Sequence, residues 1–211
     1  SVGIVKDSVI KRRNYYPGND FNEQGVEFMV NIREKWYEAI FQRRSRRQFE
    51  KKPLTTEEVT NFTHFSQELN NSMEGARVEI VNQNPDEVFK GAIGSYGKIK
   101  DAPLYAAFIG NLKDPNVQEK VGYIGECLIL EATTRGLATC WVGGFFRPEV
   151  VKEQITIGNN EQVLAITPLG YASTQYTFEE KLMAGFASGH KRKSIDSLCG
   201  GGFNKDWPQW V

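Results

Sequence analysis

The sequence predicts an α+β protein, because helical and strand patterns follow one another irregularly rather than in strict alternation. The order is helix, helix, strand, strand, long helix, strand, strand, with loops of mixed length. Two segments carry most of this prediction. Residues 117–135 place apolar side chains at helical spacing. Leu104–Ile109 is a nearly continuous apolar run, which is typical of a central strand buried on both faces.

Composition and charge fit a packed globular protein. The 211 residues are 40% hydrophobic and include 20 glycines, and this length favours one domain. The 26 basic residues balance 26 acidic ones, which argues against nucleic-acid binding, since that needs a broad basic face. The three cysteines and two histidines lack the spacing of a disulfide framework or a metal site. No apolar run reaches the ~18 residues of a membrane span and the start lacks a signal-peptide pattern, so we expect a cytoplasmic protein.

The first half of the chain begins with a polar, irregular arm and continues with two predicted helices. Residues 27–42 repeat apolar side chains at helical spacing, and these are Phe28, Ile32, Trp36, Ala39 and Ile40. Thr55 followed by Glu58 matches a capping box, so the second helix should begin there and end near Leu69. Alternating apolar residues then predict a strand over 77–81.

The second half holds the buried strand, the long helix and several shorter elements. The region 84–100 contains a short helix and a glycine-rich loop whose spacing matches neither common phosphate-binding motif. Gly136 is well placed to end the long helix. The remaining predictions are a strand over 137–142, a short helix over 150–154, a strand over 163–169, a loop over 174–189 and a short helix over 194–198.

The segment from Arg43 to Phe49 concentrates positive charge in a chain that has no net charge. It holds four arginines around Ser45. If the preceding helix continues, Arg43 and Arg47 project from one face, because they are four residues apart. Two guanidinium groups beside a hydroxyl make a good receiver for a phosphate dianion. Taken alone, such a cluster is more often a solvated helix end that pairs with acids.

Three further sequence segments, taken with the arginine cluster and in their order along the chain, indicate a function for it. Lys98 stands shortly before Asp101-Ala102-Pro103, Gly136–Gly144 follows the long helix, and Arg192–Asp196 comes last. With the arginine cluster, these pieces resemble the nitroreductase family of flavin mononucleotide (FMN) enzymes, and the whole is similar to a divergent branch of that family. The resemblance implies a three-layer α+β sandwich, with a central mixed, mainly antiparallel sheet flanked by helices.

For the phosphate end of the cofactor, the resemblance implies five binding residues. Arg43, Ser45 and Arg47 would hold the ribityl chain and phosphate of FMN. Arg192 would approach that phosphate from the far end of the sequence, together with His190. A phosphate dianion needs about two positive charges and several N–H or O–H donors, which this set supplies.

For the ring end, the resemblance implies four binding residues. Lys98 would lie near the N1/O2 edge of the flavin ring, with Ser95 three residues before it. Gly143 and Gly144 would lie beside the ring, with their N–H groups near N5 and O4, since glycine lets backbone approach without a Cβ. No side chain is implied as a nucleophile or metal ligand. Cys140 is better explained as a small core residue, because no acid–base partner can be assigned to it.

The function implied by the resemblance is that of an oxidoreductase. NAD(P)H would deliver hydride to flavin N5, and a small organic acceptor, nitroaromatic or quinone-like, would then receive it. The family also implies a homodimer. We divide the chain into an arm (1–26), an FMN-binding domain (27–199) and a tail (200–211).

Two alternatives stay open at the level of sequence. Many family members carry a Pro-Ser-x-x-Asn-x-Gln-Pro stretch, and the matching residues 70–77 lack Gln-Pro. The chain could therefore be a flavin-binding protein without reductase turnover, acting in storage, sensing or assembly. A basic-arm nucleic-acid protein that uses Lys11–Arg13 and Arg43–Arg47 is the weaker alternative.

Overall fold

The structure is a computed structural model that describes residues 35–90, 98–174, 176, 180 and 181. The chain divides into two compact units, Ser1–Gln175 and Tyr176–Val211. Predictions that concern residues 1–34, 91–97 or 182–211 lie outside the described residues. The fold is that of the first unit, which contains the helices and strands that carry the core.

Helices and strands follow one another irregularly, as the sequence predicts, but the described residues contain one strand after the long helix where two were predicted. The helices are α1 (described from 35 to 42), α2 (Thr56–Ser72), α3 (Pro85–Phe89), α4 (Val117–Thr134) and α5 (Pro148–Gln154). The strands are β1 (Ala76–Val81), β2 (Leu104–Asn111) and β3 (Glu161–Leu169). The predictions for α2, α4, α5 and all three strands agree with these bounds to within a few residues.

The three strands form one antiparallel sheet in the order β1-β2-β3. Val78 of β1 pairs with Phe108 of β2, and Ala106 of β2 pairs with Thr167 of β3. Every residue of the central strand except Asn111 is buried. The prediction of a strand covered on both faces is therefore confirmed.

Alternation along β2 sends its side chains into two hydrophobic cores, one on each face of the sheet. The even-numbered residues from Leu104 to Phe108 belong to the core that contains α1, α2 and α4. The odd-numbered residues from Tyr105 to Ile109 belong to the core that contains α3 and α5. Helices thus cover both faces, and the predicted α+β fold with a sheet between helical layers is confirmed.

The start of α2 is the capping box that the sequence predicts. Glu58 N donates to Thr55 Oγ1 at 3.2 Å, and Thr55 N donates to Glu58 Oε2 at 2.7 Å. Near the other end, Asn70 makes two hydrogen bonds with the backbone of Val78 in β1. These bonds join α2 to the edge of the sheet.

The tryptophan of α1 anchors that helix in the first core. Trp36 is buried, its Nε1 donates to Glu131 Oε2 of α4 at 3.1 Å, and its ring meets Phe65 of α2 edge-on. Ile40 departs from the predicted apolar face, because it is 55% exposed. Among the described residues, no helix combines the length and apolar character needed to cross a membrane.

The predicted strand over 137–142 is wrong. These residues make single bridges instead, from Ala138 to Gly170 and from Val142 to Ile166. Between the bridges, Cys140 N donates to the Thr167 side chain at 3.1 Å rather than to a backbone carbonyl. A side chain thus replaces the ladder bond that would have continued a strand.

Candidate functional site

An extended segment over residues 45–50 occupies the place of the predicted arginine site. On one edge it pairs with the chain just before β2. Lys100 N donates to the Arg47 carbonyl at 2.9 Å, and Phe49 N donates to the Lys100 carbonyl at 3.1 Å. These two bonds form a parallel bridge, and they bring Arg47 beside the segment that begins with Lys98.

On its other edge the same segment pairs with the chain after α4 and after β3. Arg46 N donates to the Thr139 carbonyl at 2.9 Å, and Ser45 forms a parallel bridge with Thr139. Ser173 N donates to the Gln48 carbonyl at 3.0 Å. Backbone bonds on both edges hold the segment in place independently of its arginine side chains.

The helical arrangement predicted for the arginine cluster is wrong. The last helical bond of α1 runs from Arg43 N to the Ala39 carbonyl at 2.8 Å, and the chain then becomes extended. Because side chains alternate along an extended segment, Ser45 and Arg47 face one way and Arg46 faces the other. Ser45 and Arg47 therefore share a face through a period of two, and not through helical spacing.

Arg44 and Arg46 bind carbonyl groups of the protein itself. Arg44 Nη1 donates to the carbonyls of Phe41 and Arg43, at 2.7 and 2.8 Å. Arg46 Nη2 donates to the Ser173 carbonyl at 2.8 Å. These bonds tie the cluster to its surroundings.

Arg43 turns toward the long helix. Its Nε lies 3.5 Å from Oε1 of Glu126 in α4. The other oxygen of that carboxylate accepts a hydrogen bond from Trp141 Nε1 at 2.8 Å. A single acidic side chain thus contacts both the first predicted piece and the piece that ends in Gly143-Gly144.

Lys98 is exposed and stands two residues before the Lys100 bridge. The chain turns sharply after that bridge, because Asp101 has φ +61°, a left-handed value that costs a non-glycine residue conformational energy. Gln48 Nε2 donates to Asp101 Oδ2 at 2.8 Å, which ties the turn to the extended segment. The Lys100 bridge therefore sets the segment that begins with Lys98 alongside residues 47–49.

Gly143 and Gly144 follow the Val142 bridge, and both are exposed. A Cβ built on either glycine meets no heavy atom of the described residues within 4 Å. Trp141, just before them, is fixed on the inner side, where its ring lies 4.8 Å from that of Phe108. Among the described residues, nothing covers the two glycines, and the tryptophan before them packs on the sheet.

The remaining predicted residues lie outside the described part of the chain. They are Ser95, His190 and Arg192. Of the four sequence pieces, the structure brings together three. The extended segment with the arginines lies between the segment that begins with Lys98 and the segment that ends in Gly143-Gly144.

Neither described cysteine is an exposed thiol. Cys140 is 2% exposed and faces the interior, as its sequence context suggested. Burial raises the pKa of the Cys127 thiol to about 12, and the neighbouring Glu126 adds to this shift. A thiolate nucleophile at Cys127 is therefore disfavoured near neutral pH.

Sequence reasoning missed Glu126 and the Gln48–Asp101 contact. Glu126 is one acidic residue in an amphipathic helix, and no local pattern marks it. Its role depends on Trp141, which is 15 residues further on and reaches it only through the fold. Gln48 and Asp101 are 53 residues apart, so their contact has no local sequence signal either.

The fold and the candidate site together define an α+β protein in which an arginine- and serine-bearing segment lies between two other segments. The sequence profile of the family described as "Putative TM nitroreductase" matches residues 35–211. That match covers most of the chain, and the chain belongs to the nitroreductase family. The family predicted from the four sequence pieces is therefore confirmed.

Solved structures share this fold. A nitroreductase family protein from Clostridium difficile 630 has 18% identity and a TM-score of 0.55, covering 77% of this chain and 95% of that one. A "Putative NADH dehydrogenase/NAD(P)H nitroreductase" from Parabacteroides distasonis ATCC 8503 has 18% identity and a TM-score of 0.54, covering 68% and 90%. An FMN-dependent nitroreductase from Clostridium difficile R20291 has 17% identity and a TM-score of 0.52, covering 64% and 86%. At these identities the likeness establishes the fold alone. No curated protein matches this sequence.

Proposed function

We propose that this nitroreductase-family protein binds FMN and transfers hydride from NAD(P)H to a small organic acceptor, nitroaromatic or quinone-like. The observation that carries the proposal is the double pairing of residues 45–50, with Lys100 on one edge and Thr139 on the other. This pairing joins the segments that contain Lys98 and Gly143-Gly144 to the arginine cluster. One solved structure with this fold is named as FMN-dependent, and another carries NAD(P)H in its name, which supports the choice of cofactor and donor.

The described residues fit FMN in their chemistry. Guanidinium and hydroxyl donors of Arg43, Ser45 and Arg47 suit a phosphate dianion and a ribityl chain. Gly143 and Gly144 suit the edge of a flat ring, because neither carries a Cβ and no atom of the described residues lies where one would be. In this proposal the remaining residues implied by the family resemblance, which are Ser95, His190 and Arg192, complete the phosphate and ring ends.

The protein would contribute binding and electrostatics, and not a nucleophile. When bound, FMN supplies the hydride-carrying chemistry. The cationic Lys98 would stabilise negative charge that develops at the N1/O2 edge of the ring, and this favours the reduced form. The N–H groups of Gly143 and Gly144 would orient the opposite edge. The proposal keeps the homodimer, the division at residues 26 and 199, and the cytoplasmic location as predictions.

One observation favours the second candidate, a flavin-binding protein without reductase turnover. Residues 70–77, which lack Gln-Pro, make contacts that stabilise the fold. Asn70 makes two bonds with Val78, Met73 is buried, and Gly75 turns with φ +84° into β1. These residues build a junction between helix and strand, so they leave the substrate side of the pocket without that family stretch.

Anaerobic mixing separates the two candidates. FMN-loaded protein is mixed with NADH or NADPH, and the flavin absorbance is followed, with the same concentration of free FMN as the control. The reductase predicts bleaching within seconds for at least one nucleotide, faster than for free FMN. Unchanged absorbance with both nucleotides would contradict reductase turnover and favour the binding protein.

A further inference from the structure

One carboxylate in the middle of α4 contacts two pieces of the proposed site. Glu126 Oε1 lies 3.5 Å from Arg43 Nε, and Oε2 accepts from Trp141 Nε1 at 2.8 Å. Arg43 belongs to the proposed phosphate end, and Trp141 immediately precedes the segment of Gly143 and Gly144. The Glu126 side chain therefore contacts residues at both ends of the proposed site.

The tryptophan is seated on α4 by shape as well as by this hydrogen bond. Gly125 leaves a notch for its ring, since a Cβ there would lie 2.2 Å from Cη2 of Trp141. On the sheet side the ring lies 4.8 Å from that of Phe108. The notch at Gly125, the Phe108 ring and the Glu126 carboxylate thus restrict the position of the Trp141 side chain.

The ion pair itself is too exposed to stabilise the fold appreciably. The side chains of Arg43 and Glu126 are 31% and 43% exposed, and pairs of this kind contribute little in water. The orientation that this ion pair gives the Arg43 guanidinium is more important here than the energy of the pair. Glu126 approaches the inner nitrogen of the guanidinium, Nε, so the outer pair, Nη1 and Nη2, is the fork that can receive a phosphate.

We propose that Glu126 is a positioning residue that holds Arg43 side-on for the cofactor phosphate. This inference rests on the proposed FMN function and adds a residue to it. The carboxylate fixes the direction of the guanidinium before the phosphate arrives, which removes part of the conformational cost of binding. Its second oxygen accepts from Trp141 Nε1, and this bond holds the carboxylate in the orientation that faces Arg43.

The test compares Glu126→Gln with Glu119→Gln. The amide retains an acceptor for Trp141 but lacks the charge that orients Arg43. Glu119 is an exposed acid in the first turn of the same helix, so its change removes one charge away from the site. We expect Glu126→Gln to weaken FMN binding about fivefold relative to Glu119→Gln, the effect of losing one exposed ion pair. Binding of riboflavin, which lacks the phosphate, should be equal in the two variants.

A second readout needs no flavin. In the apo protein, the indole N–H resonance of Trp141, assigned with Trp141→Phe, should move in Glu126→Ala and stay in Glu119→Ala. An unmoved resonance overturns the inference. So does tighter FMN binding in Glu126→Gln, which would make the carboxylate a competitor of the phosphate, and so does an equal loss for FMN and riboflavin. A wild-type protein that binds no FMN overturns the proposed function and this inference together, whereas FMN binding that both glutamine variants alter equally overturns the inference alone.

Discussion

At the scale of single residues, the arginines of the cluster differ in where their side chains lie. Arg44 and Arg46 donate to main-chain carbonyls and support the cluster. Arg47 is half-buried on the same side of the extended segment as Ser45. Within the extended segment, alternation therefore separates Arg46, which binds a main-chain carbonyl, from Ser45 and Arg47, which have the proposed binding role.

Replacing Arg47 should weaken the binding of FMN and leave riboflavin binding unchanged. A hydrogen bond to a charged group contributes roughly 1.5–3 kcal/mol, so Arg47→Gln should raise the Kd for FMN by about tenfold or more. Fluorescence titration with each flavin measures both constants. The control is Arg44→Gln, an exposed arginine of the same cluster. Equal FMN constants for the two variants would place the phosphate elsewhere.

The best-formed ion pair of the described residues lies away from the site, between β1 and β3. Arg77 contacts both oxygens of Glu161, at 2.8 and 2.9 Å. Hydrogen bonding to Arg77 lowers the pKa of Glu161 and outweighs its desolvation. The folded pKa of this group is below its unfolded value. The stabilisation is therefore present above the ordinary pKa near 4.5 and lost as pH falls through the lower folded pKa.

Glu161→Gln should accordingly destabilise the protein at pH 7 and have little effect in acid. Urea unfolding at neutral pH and in acid, below the folded pKa of Glu161, measures the difference from wild type. In acid the difference should vanish, because protonation removes the charge of Glu161 from the wild type as the amide does in the variant. The control is Glu153→Gln, an exposed acid whose change should matter at neither pH. A difference that persists in acid would show that the side chain acts through packing and not through its charge.

At the scale of elements, α4 contributes residues both to the core and to the candidate site. Its buried face packs under β2, while Gly125 and Glu126 receive Trp141 and Arg43. The helix bounds were predictable, because the apolar spacing and Gly136 mark them locally. The packing of Trp141 against Gly125 was not predictable, because a single glycine within a helix pattern does not indicate which side chain will pack against it.

Two glycines of α4 should respond oppositely to alanine. Gly125→Ala places a Cβ 2.2 Å from the Trp141 ring, and such overpacking costs about 1–3 kcal/mol of the free energy of unfolding. Gly122→Ala meets no atom of the described residues within 4 Å and should add about 0.5–1 kcal/mol through helix propensity. Denaturant unfolding compares the two. Equal stabilisation by both changes would show that Trp141 is not seated in the notch.

The extended segments were the least predictable elements. Residues 137–142 have a strand composition, but Thr167 replaces one ladder bond with its side chain and leaves isolated bridges. Residues 45–50 follow a helix without a strong stop signal, and their pairing with Lys100 and Thr139 is set by chain segments about 50 and 95 residues away. Local patterns cannot specify such partners.

At the scale of the whole molecule, the layered fold follows from one strand. The continuous apolar run of β2 requires cover on both faces, and alternate residues lie in the two cores beneath the helical layers. The family was predictable from the order of four short sequence pieces. That prediction does not depend on local structure, and it is correct although the structure predicted for two of the pieces is wrong. The site residues Ser95, His190 and Arg192 lie outside the described residues, so their roles stay predictions.

The measurement that tests the central claim most directly is the flavin content of the purified protein. The account predicts a yellow protein that releases FMN on denaturation and, once stripped, rebinds about one FMN per chain. A colourless protein that also fails to bind added FMN, while remaining folded by its unfolding transition, would contradict it.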